Sequence, residues 1–169
     1  VNALMLVSQL LLDPGDRVVE VVPLWPNLQE IPRILGASVS TVALEFSPQG
    51  WRLDLERLLG DLKPGTKALY LNSPNNPGGF TYTPDELASL AKALEGTDVI
   101  VLSDEIYEKL IYGDTKFISF AALSADAYNR TLTVNGLSKT YAMTGWRLGY
   151  TAGPVNVIKA MSRLQSHMT

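Results

Sequence analysis

The chain has 169 residues, 46% hydrophobic and 18% charged, which is the composition of one globular domain with room for a substantial core. Lys and Arg number 14 against 17 Asp and Glu, and the net charge of -3 argues against a nucleic-acid surface. With no Cys and a single His, His167, the chain excludes disulfides, thiolate metal sites and HExxH zinc chemistry, and leaves a Ser-His triad only if built on that residue.

No apolar run reaches the roughly 18 residues of a membrane span. The opening VNALMLVSQLLLDPGD has neither a basic leader nor a small-residue cleavage site, so it does not read as a signal peptide. The missing initiator Met fits either Met removal or truncation.

Residues 3–12 (ALMLVSQLLL) are rich in helix formers and stop at the turn Asp13-Pro14-Gly15-Asp16. RVVEVV at 17–22 is β-branched and reads as a buried strand, broken by Pro23 and Pro26. Residues 27–35 suggest a short helix with Pro32 inside it, placed to kink it or end it. SVSTVAL at 38–44 reads as a strand, and Asp54 is placed to cap a helix over LERLLGDL. TKALYLN at 66–72 is a further strand, leading into the loop SPNNPGG.

Thr83-Pro84-Asp85-Glu86 is a capping box with Pro at the first helical position, predicting a helix to about Leu94. DVIVLSD at 98–104 is a continuous apolar strand running into EIYEKLIY, which Asp104 could cap as a helix. TLTVNGLS at 131–138 and LGYTAG at 148–153 read as strands. Pro154 opens a last helix over 154–166 with Val155, Ile158, Met161 and Leu164 on helical spacing. Short apolar strands alternating with helices define an α/β chain with a mostly parallel central sheet and helices on both faces. Ligands bind such sheets at the carboxyl ends of the strands. Three loops leave those ends with reactive residue types: 72–79, 103–107 and 135–147.

No GxGxxG follows any strand and there is no GxxxxGK[ST], which removes the two common nucleotide loops. What remains is Lys139 after one strand, Asp104 after another with Tyr107 close behind, Asn76 in a Pro/Gly loop, and Arg147 eight residues past the Lys. A deprotonated lysine forms Schiff bases with aldehydes. Pyridoxal phosphate brings an aldehyde, a ring nitrogen that needs a buried carboxylate, and a phosphate that suits a bidentate Arg. It also carries a phenolic oxygen that takes donors such as Tyr and Asn. Each residue also has a plain reading: Lys139 and Arg147 as surface charges, Asn76 as a turn residue, and Tyr107 and Trp25 as core aromatics. Ser138 stays undecided between cap and phosphate contact, and His167 reads as an ordinary side chain.

The motifs NSPNNPGG at 72–79, SDEIYE at 103–108 and NGLSKTYAMTGWRLGY at 135–150 resemble the fold-type I, class I/II aminotransferases, nearest to the aspartate aminotransferase-like group. The likeness extends from PGDRV at 15–19 to the last helix. It implies that Lys139 is catalytic and holds pyridoxal 5'-phosphate, with Asp104 on the ring nitrogen, Tyr107 and Asn76 on the ring oxygen, Arg147 on the phosphate and Trp25 stacked on the ring. It implies amino-acid and 2-oxo-acid substrates, a homodimer, and a cytoplasmic enzyme with no nucleic-acid or membrane partner.

Residues 1–169 would be most of the cofactor-binding large domain, without a small C-terminal domain or an N-terminal segment. As such the isolated chain is not expected to be a competent transaminase. The open alternatives are another reaction of the same cofactor, a β-lyase, racemase or decarboxylase, or a cofactor-sensing domain of a transcription regulator. Two departures stand out. Gly78 replaces a Thr, which would loosen the loop, and Gly136 replaces a Ser that touches phosphate in many members.

Overall fold

A computed structural model describes residues 1–168. The elements run α1 (Asn2–Leu11), β1 (Arg17–Val22), α2 (Pro26–Ile34), β2 (Ser38–Ala43), β3 (Glu45–Ser47), β4 (Gly50–Arg52), α3 (Leu55–Asp61) and β5 (Thr66–Asn72). They continue α4 (Pro84–Leu94), β6 (Ile100–Asp104), α5 (Ala125–Arg130), β7 (Thr131–Gly136), α6 (Leu137–Thr140), β8 (Gly149–Ala152) and α7 (Val155–Gln165).

Local chemistry sets several of these boundaries. Thr83 and Glu86 close the capping box: the Glu86 N–H donates to Thr83 Oγ1 at 3.2 Å, and the Thr83 N–H donates to Glu86 Oε2 at 2.7 Å. Asp54 accepts from the Arg57 N–H at 3.0 Å and starts α3. Pro32 lies inside α2, as expected, and the helix ends two residues later.

Six strands form one sheet in the order β2-β1-β5-β6-β7-β8. All neighbours are parallel except β8, which runs antiparallel to β7 with Gly136 opposite Gly149. The strand period of two sorts the core onto two faces. Val19, Val21, Leu69, Leu71 and Val101 pack with α3, α4 and α5. Val18, Ala68, Tyr70, Leu102, Leu132 and Val134 face α1, α2 and α7. The central strands β1, β5, β6 and β7 are therefore covered on both sides and are largely apolar, whereas the edge strands β2 and β8 are mostly exposed or half-buried.

Three features differ from the sequence expectations. The hairpin β3–β4, with Phe46 opposite Trp51, has strands too short to show a period. The helices α5 and α6 are likewise only 6 and 4 residues long. After Asp104 there is no helix over EIYEKL. Consecutive turns take its place, the Glu108 N–H donating to Glu105 O at 2.9 Å and the Leu110 N–H to Tyr107 O at 2.8 Å. Among the described residues the Asp104 carboxylate consequently accepts only from the Ile106 N–H, two residues on, and caps a turn rather than a helix.

Candidate active site

The chain passes from β1 out to β2 and returns to β5 on the other side of β1, a topological switch point. The loops after β1 and β5 meet there: Asn75 Nδ2 donates to Pro23 O at 3.0 Å. The next loops along the sheet edge follow β6 and β7. Because β8 runs antiparallel, the segment entering it returns to the same edge.

Asn72 ties two of these strand ends together. Its Nδ2 donates to Asp104 O at 3.2 Å, and its Oδ1 accepts from the Asn76 N–H at 2.7 Å. Asn76 Nδ2 in turn donates to the Tyr107 hydroxyl at 3.4 Å. Lys139, in the short helix directly after β7, places Nζ 5.6 Å from the Tyr107 ring centroid, within cation–π range. Asn76, Tyr107 and Lys139 are thus brought together by three different strand ends.

Asp104 sits at the end of β6, only 6% exposed. Burial pushes its carboxyl up from the usual value near 3.8 to about 6, and the hydrogen bond from the Ile106 N–H only partly opposes this. A carboxylate in that position gains from any cationic N–H offered to it. Its neighbour Glu105, 3% exposed, is held by the Ser103 hydroxyl at 2.9 Å and the Ser119 hydroxyl at 2.8 Å. Burial raises its carboxyl and the two hydroxyls pull it back. This clasp ties the far end of the 105–119 segment to β6 and so steadies Tyr107. Neither Asn72 nor Glu105 stands out as a site residue in the sequence, although both lie inside the quoted motifs.

Among the described residues no hydrogen bond, ion pair or ring contact joins Arg147 or Trp25 to this cluster. Arg147 is exposed, and its Nη1 donates to Thr144 O at 2.8 Å. Its backbone is left-handed, φ 55°, a conformation that costs a non-glycine residue of order 1 kcal/mol and concentrates at functional sites. Trp25 is half-buried at the start of α2 and packs on the core. Of the other arginines, Arg33, Arg52 and Arg130 are ion-paired with Glu30, Glu45 and Asp126. Ser138 caps no helix, and His167 is exposed.

A cavity of about 390 Å³ opens beside the cluster, lined by Asn76, Pro77 and Gly79 on one side and Tyr107, Ile111 and Tyr112 on the other. The loosening expected from Gly78 is not found. A Cβ there would meet Asn75 Oδ1 and Trp51 Nε1, each at 2.9 Å, so the glycine is closely packed. Gly136 is similarly enclosed, with Ile106 Cδ1 and Leu148 O each 3.0 Å from where a Cβ would stand. A serine at that position fits only if the Leu148 carbonyl, on the segment entering β8, gives by a few tenths of an ångström.

A profile of the family described as aminotransferase class I and II matches residues 2–169. The chain is 42% identical over 168 residues to an aspartate aminotransferase of Geobacillus stearothermophilus, covering 99% of this chain and 42% of that protein. It is 44% identical over 169 residues to the aspartate/prephenate aminotransferase of Thermus thermophilus, again covering 99% of this chain and 42% of that protein. Among solved structures, N-succinyldiaminopimelate aminotransferase of Mycobacterium tuberculosis superposes with a TM-score of 0.92 at 28% identity, covering 99% of this chain and 44% of that one. The aspartate aminotransferase of Rhizobium meliloti superposes with a TM-score of 0.91 at 39% identity, covering 99% and 42%. The chain belongs to the class I and II aminotransferase family, and it spans less than half the length of these relatives.

Proposed function

We propose that this chain is the cofactor-binding large domain of a transaminase that uses pyridoxal 5'-phosphate to move an amino group between an L-amino acid and a 2-oxo acid. The observation that carries the reading is the meeting of Lys139, Tyr107 and Asn76 beside the buried Asp104, on one sheet edge. The donor set fits the cofactor: one amine for its aldehyde, one buried carboxylate for its ring nitrogen, and two hydrogen-bonding side chains for its ring oxygen. When bound, the cofactor supplies a carbonyl that exchanges amines and a ring that accepts an electron pair.

The chain's own residues do the rest. Asp104 accepts the ring N–H and keeps the ring cationic. Tyr107 and Asn76 orient the ring through its oxygen. Lys139 Nζ would hold the cofactor through its aldehyde and, as a free amine, would move the proton at the substrate Cα. Arg147, the arginine that falls in the 135–150 motif, binds the phosphate, and its left-handed backbone is the kind of local strain found at functional sites. Trp25 covers one ring face. The relatives named for aspartate support a dicarboxylic amino donor. We extend the reading to a cytoplasmic homodimer with amino-acid and 2-oxo-acid partners.

The test is to load the protein expressed from its full reading frame with pyridoxal phosphate, reduce it with borohydride and map the labelled peptide. The expected label is on Lys139. A label on another lysine of the folded protein overturns the assignment, as does failure of a supplied amino acid to convert the cofactor to its amine form.

A further inference from the structure

The loop after β5 has two faces. On one, Asn76, Pro77 and Gly79 line the cavity opposite Tyr107, whereas Gly78 does not. At Gly78 a Cβ would stand 2.9 Å from Trp51 Nε1 and 3.2 Å from Trp51 Cδ1, so the indole fills the space a side chain would need. The indole is itself held. Phe46, opposite on β3, meets it edge-on with centroids 5.0 Å apart at 61°, and the half-buried ring packs against the core beside α3 and α4. The Gly78 N–H donates to Asn75 Oδ1 at 2.9 Å, and the Gly79 N–H donates to Asn75 O at 2.9 Å. The residue Trp51 presses on is therefore hydrogen-bonded to the neighbour of Asn76.

We propose that Trp51 is a positioning residue: by filling the space beside Gly78 it pins the 72–79 loop and sets where Asn76 presents its amide to the bound ligand. The identity of that ligand rests on the transaminase reading; the hold of Trp51 on the loop does not. Packed neighbours of this kind couple energetically, because either can be changed only by disturbing the other. Gly78→Thr introduces a collision, and Trp51→Ala leaves a gap. The two changes made together relieve the collision with the indole and leave only the 2.9 Å approach to Asn75 Oδ1.

The experiment uses the protein expressed from its full reading frame, with Trp51→Ala, Trp51→Phe, Gly78→Thr and the Gly78→Thr/Trp51→Ala double variant. Each of the single changes Trp51→Ala and Gly78→Thr is expected to raise the Kd for pyridoxal phosphate about tenfold, and the double variant to lose clearly less than the product of the two. Trp51→Phe, which keeps a ring in the gap, stays close to the parent. The pH midpoint of the bound cofactor's visible absorption shifts in both weakened variants, because Asn76 no longer meets the ring oxygen. A purely structural role would lower Tm and leave that midpoint in place.

Without cofactor, amide exchange at residues 75–79 is expected to quicken about tenfold in Trp51→Ala while β5 is unchanged. Strictly additive Kd changes, or an unmoved midpoint with unmoved exchange, overturn the proposal. Parent protein that folds but binds no pyridoxal phosphate overturns the transaminase reading instead. In that case the exchange arm alone decides the role of Trp51, faster loop exchange supporting it and unchanged exchange refuting it.

Discussion

The Asn76 side-chain amide donates to the Tyr107 hydroxyl at 3.4 Å and closes the loop after β5 onto the turn after β6. At that length the bond is weak, and its use is to aim both groups at one point rather than to stabilise the fold. Both side chains are half-buried, so each keeps capacity for a ligand. Tyr107→Phe and Asn76→Ala are each expected to weaken pyridoxal phosphate binding by about 1 kcal/mol, a five- to tenfold rise in Kd, with folding stability changed by less than that. The double variant should lose less than the product of the two, since each depends on the other for its aim. Titration of cofactor into the three variants measures this; full additivity would mean that the two residues act separately.

Two aspartates bracket the strand β6, and only one is placed to matter for a ligand. Asp98 is exposed before the strand, whereas Asp104 is buried at its carboxyl end. Asp104→Asn should abolish cofactor-dependent chemistry, and Asp98→Asn should leave it unchanged, as read from single-turnover conversion of the bound cofactor. In the cofactor-free protein the effect on stability runs the other way. The folded carboxyl titrates near 6 and the unfolded one near 3.8, so the folded state holds its proton more tightly. That contribution is fully present below pH 4, is lost as pH rises toward 6, and is level above. The loss is about 3 kcal/mol. Asp104→Asn should remove this slope and raise Tm at pH 8. Equal Tm for the parent and Asp104→Asn at pH 8 would contradict the burial argument.

Much of this arrangement is legible in the sequence because the strands are buried on both faces and the caps are explicit. RVVEVV, TKALYLN and the Thr83 box each predict an element whose ends agree closely with the structure. The site residues are legible through motifs at strand ends, where Asn76, Asp104, Tyr107 and Lys139 all fall. What escapes is what no local pattern encodes. Trp51 lies in a three-residue strand, and nothing near it in sequence points to Gly78. EIYEKL has helical composition, but Glu105 is drawn to Ser103 and Ser119, and those bonds hold the segment in turns. Gly78 reads as a flexible spacer until the indole beside it is seen.

Glu20 is the polar residue that the β-branched run RVVEVV carries into the core. It is 0% exposed, and neither carboxylate oxygen has a hydrogen-bond partner among the described residues. It lies opposite Tyr70 on β5, whose hydroxyl is engaged with Ser8 Oγ at 2.7 Å, and opposite Thr41 on β2. Burial raises its carboxyl to about 7 from 4.5, with Arg33 on α2 pulling it down and Glu30 on the same helix pushing it up. The sign is that of Asp104: stability falls between about pH 4.5 and pH 7 as the unfolded chain ionises and the folded one does not, by about 3 kcal/mol in all. Glu20→Val removes the cost and matches its apolar neighbours. It should raise Tm at pH 8 by several degrees and do much less at pH 5. Thermal unfolding across that range, parent against variant, gives the answer. A gain independent of pH would show that Glu20 is not the titrating group.

Gly136 caps α6, the short helix that carries Lys139, and its backbone is fully extended, so backbone strain does not explain the glycine. Space does. A Cβ would come within 3.0 Å of Leu148 O, a backbone atom of the segment entering β8, and within 3.0 Å of Ile106 Cδ1 next to Tyr107. The isoleucine end can rotate away, but the carbonyl cannot move without disturbing the Leu137 N–H bond to it at 3.1 Å and the β7–β8 pairing. Gly136→Ser is therefore expected to cost about 1–3 kcal/mol of stability, the usual range for forcing atoms into a packed site. Lys139 lies three residues past Gly136 and Tyr107 directly follows Ile106, so cofactor binding should weaken more than stability alone explains. Gly60→Ala supplies the contrast. Gly60 lies in α3 with nothing within 4 Å of its Cβ position, and alanine there should be neutral or stabilising by up to about 1 kcal/mol with cofactor binding unchanged. Denaturant unfolding and cofactor titration of the two variants separate these effects. If Gly136→Ser were as stable as the parent, the β8 backbone would have to be mobile enough to yield, and the geometry given to Lys139 would be wrong.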